Sequence, residues 1–207
     1  MKRIIILAAA ALVLSGCSSV GGGGYGYGGY SLVRTRSTSV GDGSMAVTPP
    51  REWNRISSTW VLDDIRAVED WTLNGPYLDS MSFVTGLRTG RYIIRQQRRD
   101  AQQVPKFRED MTAPEITAML ESFYRVKAGT VDLKTTSLQP RQLMGYPGFQ
   151  WDFDHLDQDE VWRRGRVVGA VIGGRLYLVL FDAARMHYFA NAVGDFEAVV
   201  NSARLRR

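Results

Sequence analysis

From Met45 onward, hydrophobic and polar residues alternate in short runs separated by Gly, Pro and Asn. MAVTPPREWN (45–54) reads as a strand broken at Pro49-Pro50. IRAVEDWTL (65–73) alternates and runs into Asn74-Gly75-Pro76, which is turn chemistry. SMSFVTGL (80–87) and RYIIRQQ (91–97) are two further strand candidates. The period then changes. Ile116, Met119, Leu120 and Phe123 fall at helical spacing, with Thr112 placed to cap, Pro114 and Glu115 in the first turn, and Gly129 as the stop.

Strand patterns return in VDLKTTSLQPRQL (131–143), interrupted by Pro140, and in GFQWDFDHL (148–156). In the second, Phe149, Trp151 and Phe153 take one face and Gln150, Asp152 and Asp154 the other. VWRRGRVVGAVI (161–172) and RLYLVLFDA (175–183) flank Gly173-Gly174, a hairpin signal. A closing helix is marked by Tyr188, Phe189, Ala192, Val193, Phe196, Val199, Val200 and Ala203, with Gly194-Asp195 as a point of interruption. Strands, helix, four strands and helix predict an α+β domain: one antiparallel β-sheet with helices packed on it.

Residues 1–44 have a different character. Lys2 and Arg3 precede an apolar run, IIILAAAALVL (4–14), of about eleven residues. That is shorter than the roughly 20 a spanning helix needs and suits a signal peptide. Leu14-Ser15-Gly16-Cys17 follows, and it resembles the lipobox of bacterial lipoproteins. The resemblance implies cleavage before Cys17, acylation of its thiol and new amine, and a chain held by lipid. Ser18 in place of Asp implies sorting to the outer membrane, with the domain facing the periplasm. One acyl chain binds membranes marginally and several hold firmly. Gly21 to Ser44, rich in Gly, Ser and Tyr, has no apolar periodicity and reads as a tether. The expected division is 1–16 signal peptide, 17–44 lipidated cysteine and tether, and 45–207 globular domain.

Composition narrows the function. With one cysteine and two histidines in 207 residues, no internal disulfide and no protein-only Cys/His zinc site can form. The formal net charge of +5 falls to +3 once Lys2 and Arg3 leave with the signal peptide. The other basic residues are scattered and acidic neighbours accompany many of them, as in Arg98-Arg99-Asp100, so nucleic acid is not expected as a partner. No cofactor is expected. The glycine tract lacks the strand, helix and Gly-Lys-Ser/Thr ending of a phosphate loop.

The densest polar segment is DFDHLDQDE (152–160). Asp152, Asp154, His155 and Asp157 are weak candidates for a divalent cation. The spacing fails a calcium loop: the sixth position is Asp157 rather than Gly, and the twelfth is Arg163 rather than Glu. The favoured alternative is cross-strand pairing of these acids with Arg163, Arg164 and Arg166. His155 and His187 read as surface or boundary residues, and no Gly-x-Ser-x-Gly elbow occurs, so no catalytic residue is assigned. Trp53, Trp60, Trp71, Trp151 and Trp162 are candidates for a ligand groove; core is the expected place for Trp151, and for Trp53, Trp60 and Trp71 it is favoured over an exposed partner patch.

Three segments give the globular part a resemblance to the Mog1/PsbP-like fold: Pro-Pro-Arg-Glu-Trp (49–53), RLYLVLFDA, and DFEAVVNSARL (195–205). The resemblance implies an antiparallel sheet between helices, and proteins that mostly bind and assist other proteins. The expectation is therefore a lipid-anchored envelope protein of non-catalytic type, assisting a partner protein or complex. Its rivals are a small-ligand or lipid-binding module and an envelope hydrolase.

Overall fold

The computed structural model describes residues 29–56, 67–94, 104–127 and 129–206. The signal peptide, Cys17, Trp60 and residues 95–97 of a predicted strand lie outside the described residues. Eleven strands and two helices follow in the order β1 (Tyr30–Val33), β2 (Thr38–Val40), β3 (Met45–Val47), β4 (Trp53–Ile56), β5 (Val68–Thr72), β6 (Asp79–Arg88), α1 (Ala113–Lys127), β7 (Asp132–Pro140), β8 (Phe149–Leu156), β9 (Trp162–Ile172), β10 (Arg175–Ala184), α2 (Tyr188–Ser202) and β11 (Arg204–Leu205). Eight strands form an antiparallel sheet, β1-β4-β5-β6-β10-β9-β8-β7, and β11-β3-β2 form a small second sheet.

The architecture is α+β and richer in sheet than the sequence pattern implies. Two differences are instructive. β1 and β2 fall inside the segment read as tether, so described strands precede Met45. Their partners, Ile56 to Trp53 for β1 and Val47 to Met45 for β2, supply the ladder that a short polar strand cannot specify alone. Residues 91–94 form no strand.

Parity along the strands divides the core in two. On one face Phe149, Trp151, Phe153, Val167, Leu176, Leu178 and Leu180 pack under Ile116, Met119, Leu120 and Tyr124 of α1. On the other, Met81, Phe83, Val168, Ala170, Val179, Phe181 and Ala183 meet Ala192, Phe196, Val199 and Val200 of α2, with Val40, Met45 and Val47 of the small sheet. At the start of α1 the Thr112 N–H and hydroxyl both donate to the Glu115 carboxylate, at 2.7 and 2.8 Å. α2 runs unbroken through Gly194-Asp195. Gly173 and Gly174 both adopt positive φ, +56° and +73°, as a two-residue hairpin loop with right-handed strand twist requires.

Candidate functional site

The acidic segment of β8 is split by the pleat. Asp152 lies opposite Arg166 in the β8–β9 register, and Asp154 opposite Arg164. Both become two-bonded ion pairs: Arg166 donates to Asp152 at 2.7 and 3.2 Å, and Arg164 to Asp154 at 2.7 and 3.1 Å. Arg166 and Arg141 also reach Glu197 of α2, and Arg185 reaches Asp154 at 3.3 Å. Arg164 holds the Asp154 carboxyl below its usual range, and Arg141 and Arg166 hold Glu197 below its own against the opposing effect of burial.

His155 shares the parity of Trp151 and Phe153, so it points to the other face. It is fully buried, which corrects the expectation of a surface or boundary residue. Its Nε2 lies 2.6 Å from Asp182 Oδ2, and its Nδ1 lies 3.1 Å from Thr130 Oγ1. Both ring nitrogens are thus within hydrogen-bond distance of a side-chain oxygen, and Nε2 faces the Asp182 carboxylate, an acceptor. Arg163, the register partner of His155, donates from Nε to Asp182 and from Nη1 to the Tyr77 carbonyl at 2.6 Å. Burial alone would raise the Asp182 carboxyl. The Arg163 charge and the His155 hydrogen bond outweigh it and leave the group below its ordinary value. Tyr124 closes the pocket, its ring centroid 5.2 Å from that of His155. Burial, then the Asp182 charge, push its hydroxyl well up.

Thr130, His155 and Asp182 thus form a hydroxyl–imidazole–carboxylate chain, but one packed inside the sheet–α1 layer. Arg163 and Tyr124, both buried, flank it: Arg163 bonds Asp182, and the Tyr124 ring lies against that of His155. The residues that build it with His155 were not singled out from the sequence, except Arg163 as a pairing partner. The signal that could have found it is the shared parity of Trp151, Phe153 and His155.

The four metal candidates do not converge. Asp152 and Asp154 are paired with arginines, and His155 faces away from them. Asp157 accepts from the Asp159 and Val161 N–H groups at 3.0 and 2.9 Å, fixing a turn. Among the described residues no group of three or more His, Cys, Asp or Glu is placed to hold a metal ion. His187 is exposed at the start of α2, with Nε2 2.7 Å from Asn191 Nδ2. Trp53, Trp71 and Trp151 are core residues, whereas Trp162 is exposed. An open recess of about 250 Å³, lined by Pro114, Leu138, Pro140 and Phe149 among others, lies between the start of α1 and β7. It is smaller than the roughly 300–1,000 Å³ of ordinary ligand sites.

One end of the large sheet is apolar at its surface. The turn before β6 presents Tyr77, 65% exposed. Val131 precedes β7, Val161 and Trp162 open β9, and Met186, 95% exposed, follows β10. These segments are tied together: the Arg185 N–H donates to Trp162 O and the Ala184 N–H to Leu78 O, both at 2.9 Å. The Arg185 guanidinium lies 5.4 Å from the Trp162 ring centroid. β1 enters from the opposite direction, since its first residue, Tyr30, pairs with Ile56 and its last, Val33, with Trp53.

Residues 1–18 match the family model of the prokaryotic membrane lipoprotein lipid attachment site. The chain carries a lipoprotein attachment site. Among the described residues no helix is long and apolar enough to cross a membrane. Among curated proteins, none matches the sequence. The fold is similar to the solution structure of cyanobacterial PsbP (CyanoP) from Synechocystis sp. PCC 6803. The identity is 14%, 89% of this chain and 98% of that chain are covered, and the TM-score is 0.53. LpqN of Mycobacterium tuberculosis, described as involved in cell envelope biogenesis, matches at 10% identity over 86% of this chain and 92% of its own, with a TM-score of 0.43. The PsbP-like fold of the lipoprotein's globular part accords with the sheet held between α1 and α2.

Proposed function

We propose that this lipoprotein is a non-catalytic accessory protein of the cell envelope, binding a partner protein while tethered by lipid at Cys17. The outer membrane, with the domain in the periplasm, is the location that Ser18 supports. The observation that carries the reading is the attachment site at residues 1–18 placed ahead of a domain whose His155–Asp182 pair is sealed in the core. A histidine enclosed by Arg163, Tyr124 and Thr130 serves packing and hydrogen bonding rather than turnover.

Twelve Cα steps separate Cys17 from Gly29, the first described residue ahead of β1. Such a link reaches at most about 40 Å, against roughly 90 Å for a 27-residue tether. Confinement near the membrane raises the effective concentration of the domain there toward the millimolar range.

Cys17→Ala is expected to leave the domain folded and to shift it from the membrane to the soluble fraction. Continued membrane fractionation of that variant would overturn the anchor. Crosslinking in intact cells, followed by mass spectrometry of what stays with the lipidated chain, tests the partner. One reproducible envelope protein is the expected result, and none above background would overturn the accessory role.

A further inference from the structure

We infer that the apolar end of the large sheet, centred on Tyr77, Trp162 and Met186, is the partner-docking surface, and that it takes a protein segment bearing Lys or Arg beside apolar side chains. The inference rests on the accessory reading above and assigns its contact face. Isolated exposed apolar residues are ordinary, but here five of them converge from four separate segments: Tyr77, Val131, Val161, Trp162 and Met186. Tyr, Trp and Met are types enriched where protein interfaces are most buried.

The surface is also preorganised. Arg163, itself buried and bonded to Asp182, holds the Tyr77 carbonyl from beneath, and the Trp162–Arg185 and Leu78–Ala184 backbone bonds fix the neighbouring segments. The buried network therefore does structural work for the rim above it. Side chains and backbone already in place lose less entropy when a partner binds.

Charge selects the partner. The turn leading into Trp162 carries Asp157, Asp159 and Glu160, and Asp132 follows Val131. Among the described residues none of these four has an ion-pair partner. Arg185, a cation on the rim, shares Asp154 with Arg164, so its single charge stands against these four carboxylates. The apolar surface is thus bordered by uncompensated negative charge, which attracts a cationic segment and disfavours anionic lipid. Chain direction agrees: β1 begins at the other end of the sheet, where Tyr30 pairs with Ile56, so the end bearing Trp162 and Met186 lies away from the start of β1.

The test is site-specific photocrosslinking in cells producing the full lipidated chain, with the photoreactive residue at Met186, Leu138 or Arg91. The expected result is one discrete protein adduct at Met186, with little at the other two. Its crosslinked peptide should carry Lys or Arg beside apolar residues. The double change Asp159→Lys/Glu160→Lys should reduce that adduct about ten-fold or more, with an unaltered melting temperature showing that the domain remains folded. A protein adduct at Leu138 or Arg91 but not at Met186 would overturn this surface and leave the accessory role intact. Absence of any adduct at all three would overturn both. Adducts at Met186 to phospholipid or to a second copy of this chain, or one indifferent to charge reversal, would overturn the assignment of a cationic protein partner.

Discussion

Strands β8 and β9 carry two charged clusters back to back, and the residue types are nearly the same. On the α2 side, Asp152–Arg166 and Asp154–Arg164 pair directly across the ladder with their guanidinium groups part-exposed. On the α1 side, one register step away, His155 and Arg163 converge on Asp182 with all three buried. What differs is water. The part-exposed pairs exchange solvation for contacts of similar strength, whereas the buried trio has given up its solvation and depends on every bond within it.

The contrast is broken most severely by Asp182→Ala. It leaves the Arg163 charge and the His155 ring without their acceptor, so a loss of about 3–5 kcal/mol is expected in urea unfolding. A loss under about 1 kcal/mol would mean that water enters the trio. Gly165→Ala comes next. Gly165 lies opposite Phe153 on the buried side, and a Cβ there would collide with the Phe153 ring, with an expected cost of about 1–3 kcal/mol.

Acid should separate the two clusters as well. Asp182, Asp154 and Glu197 all have folded pKa values below their ordinary 3.8, 3.8 and 4.5. Their stabilisation is fully present above those ordinary values and is lost as pH falls through the lowered ones. Melting temperature should therefore fall steeply below about pH 4, and Asp182→Asn should flatten that slope more than Asp154→Asn does. At the small end, Arg164→Ala is expected to cost about 0.2–1 kcal/mol, less in high salt, because its pair with Asp154 is open to solvent. Met186→Ala, almost fully exposed, should leave the melting temperature unchanged within error.

The same strands show how far the sequence could be read. The alternation of Phe149 to Asp154 specifies which side each residue takes, and the pairing of Asp152 and Asp154 with the arginines of β9 follows from it. Extending that alternation by one residue puts His155 with the aromatics, yet the acids flanking it in sequence suggested a polar setting. Asp182 was hidden differently. It interrupts the apolar run LYLVLFDA, and only the β9–β10 register brings it beside residues 155 and 163. β1 and β2 carry too few apolar positions in Tyr30 to Val40 to declare themselves, and they become strands through partners well along the chain. The apolar rim was least legible, because its members come from four turns and strand ends that have no local pattern in common.

The position of β10 has one more consequence. It lies at the interior of the large sheet, bonded on one side to β6 and on the other to β9, yet it is the tenth of the eleven strands among the described residues. Closing the β6–β10 ladder requires Asp79 to meet Ala183 and Arg88 to meet Arg175, separations of about ninety to one hundred residues. The N-terminal half therefore cannot complete its sheet until nearly all of the chain is available. For a polypeptide that begins with a signal peptide, this delay favours export: the strand that locks the fold is among the last to emerge, so the segments ahead of it remain threadable while translocation proceeds.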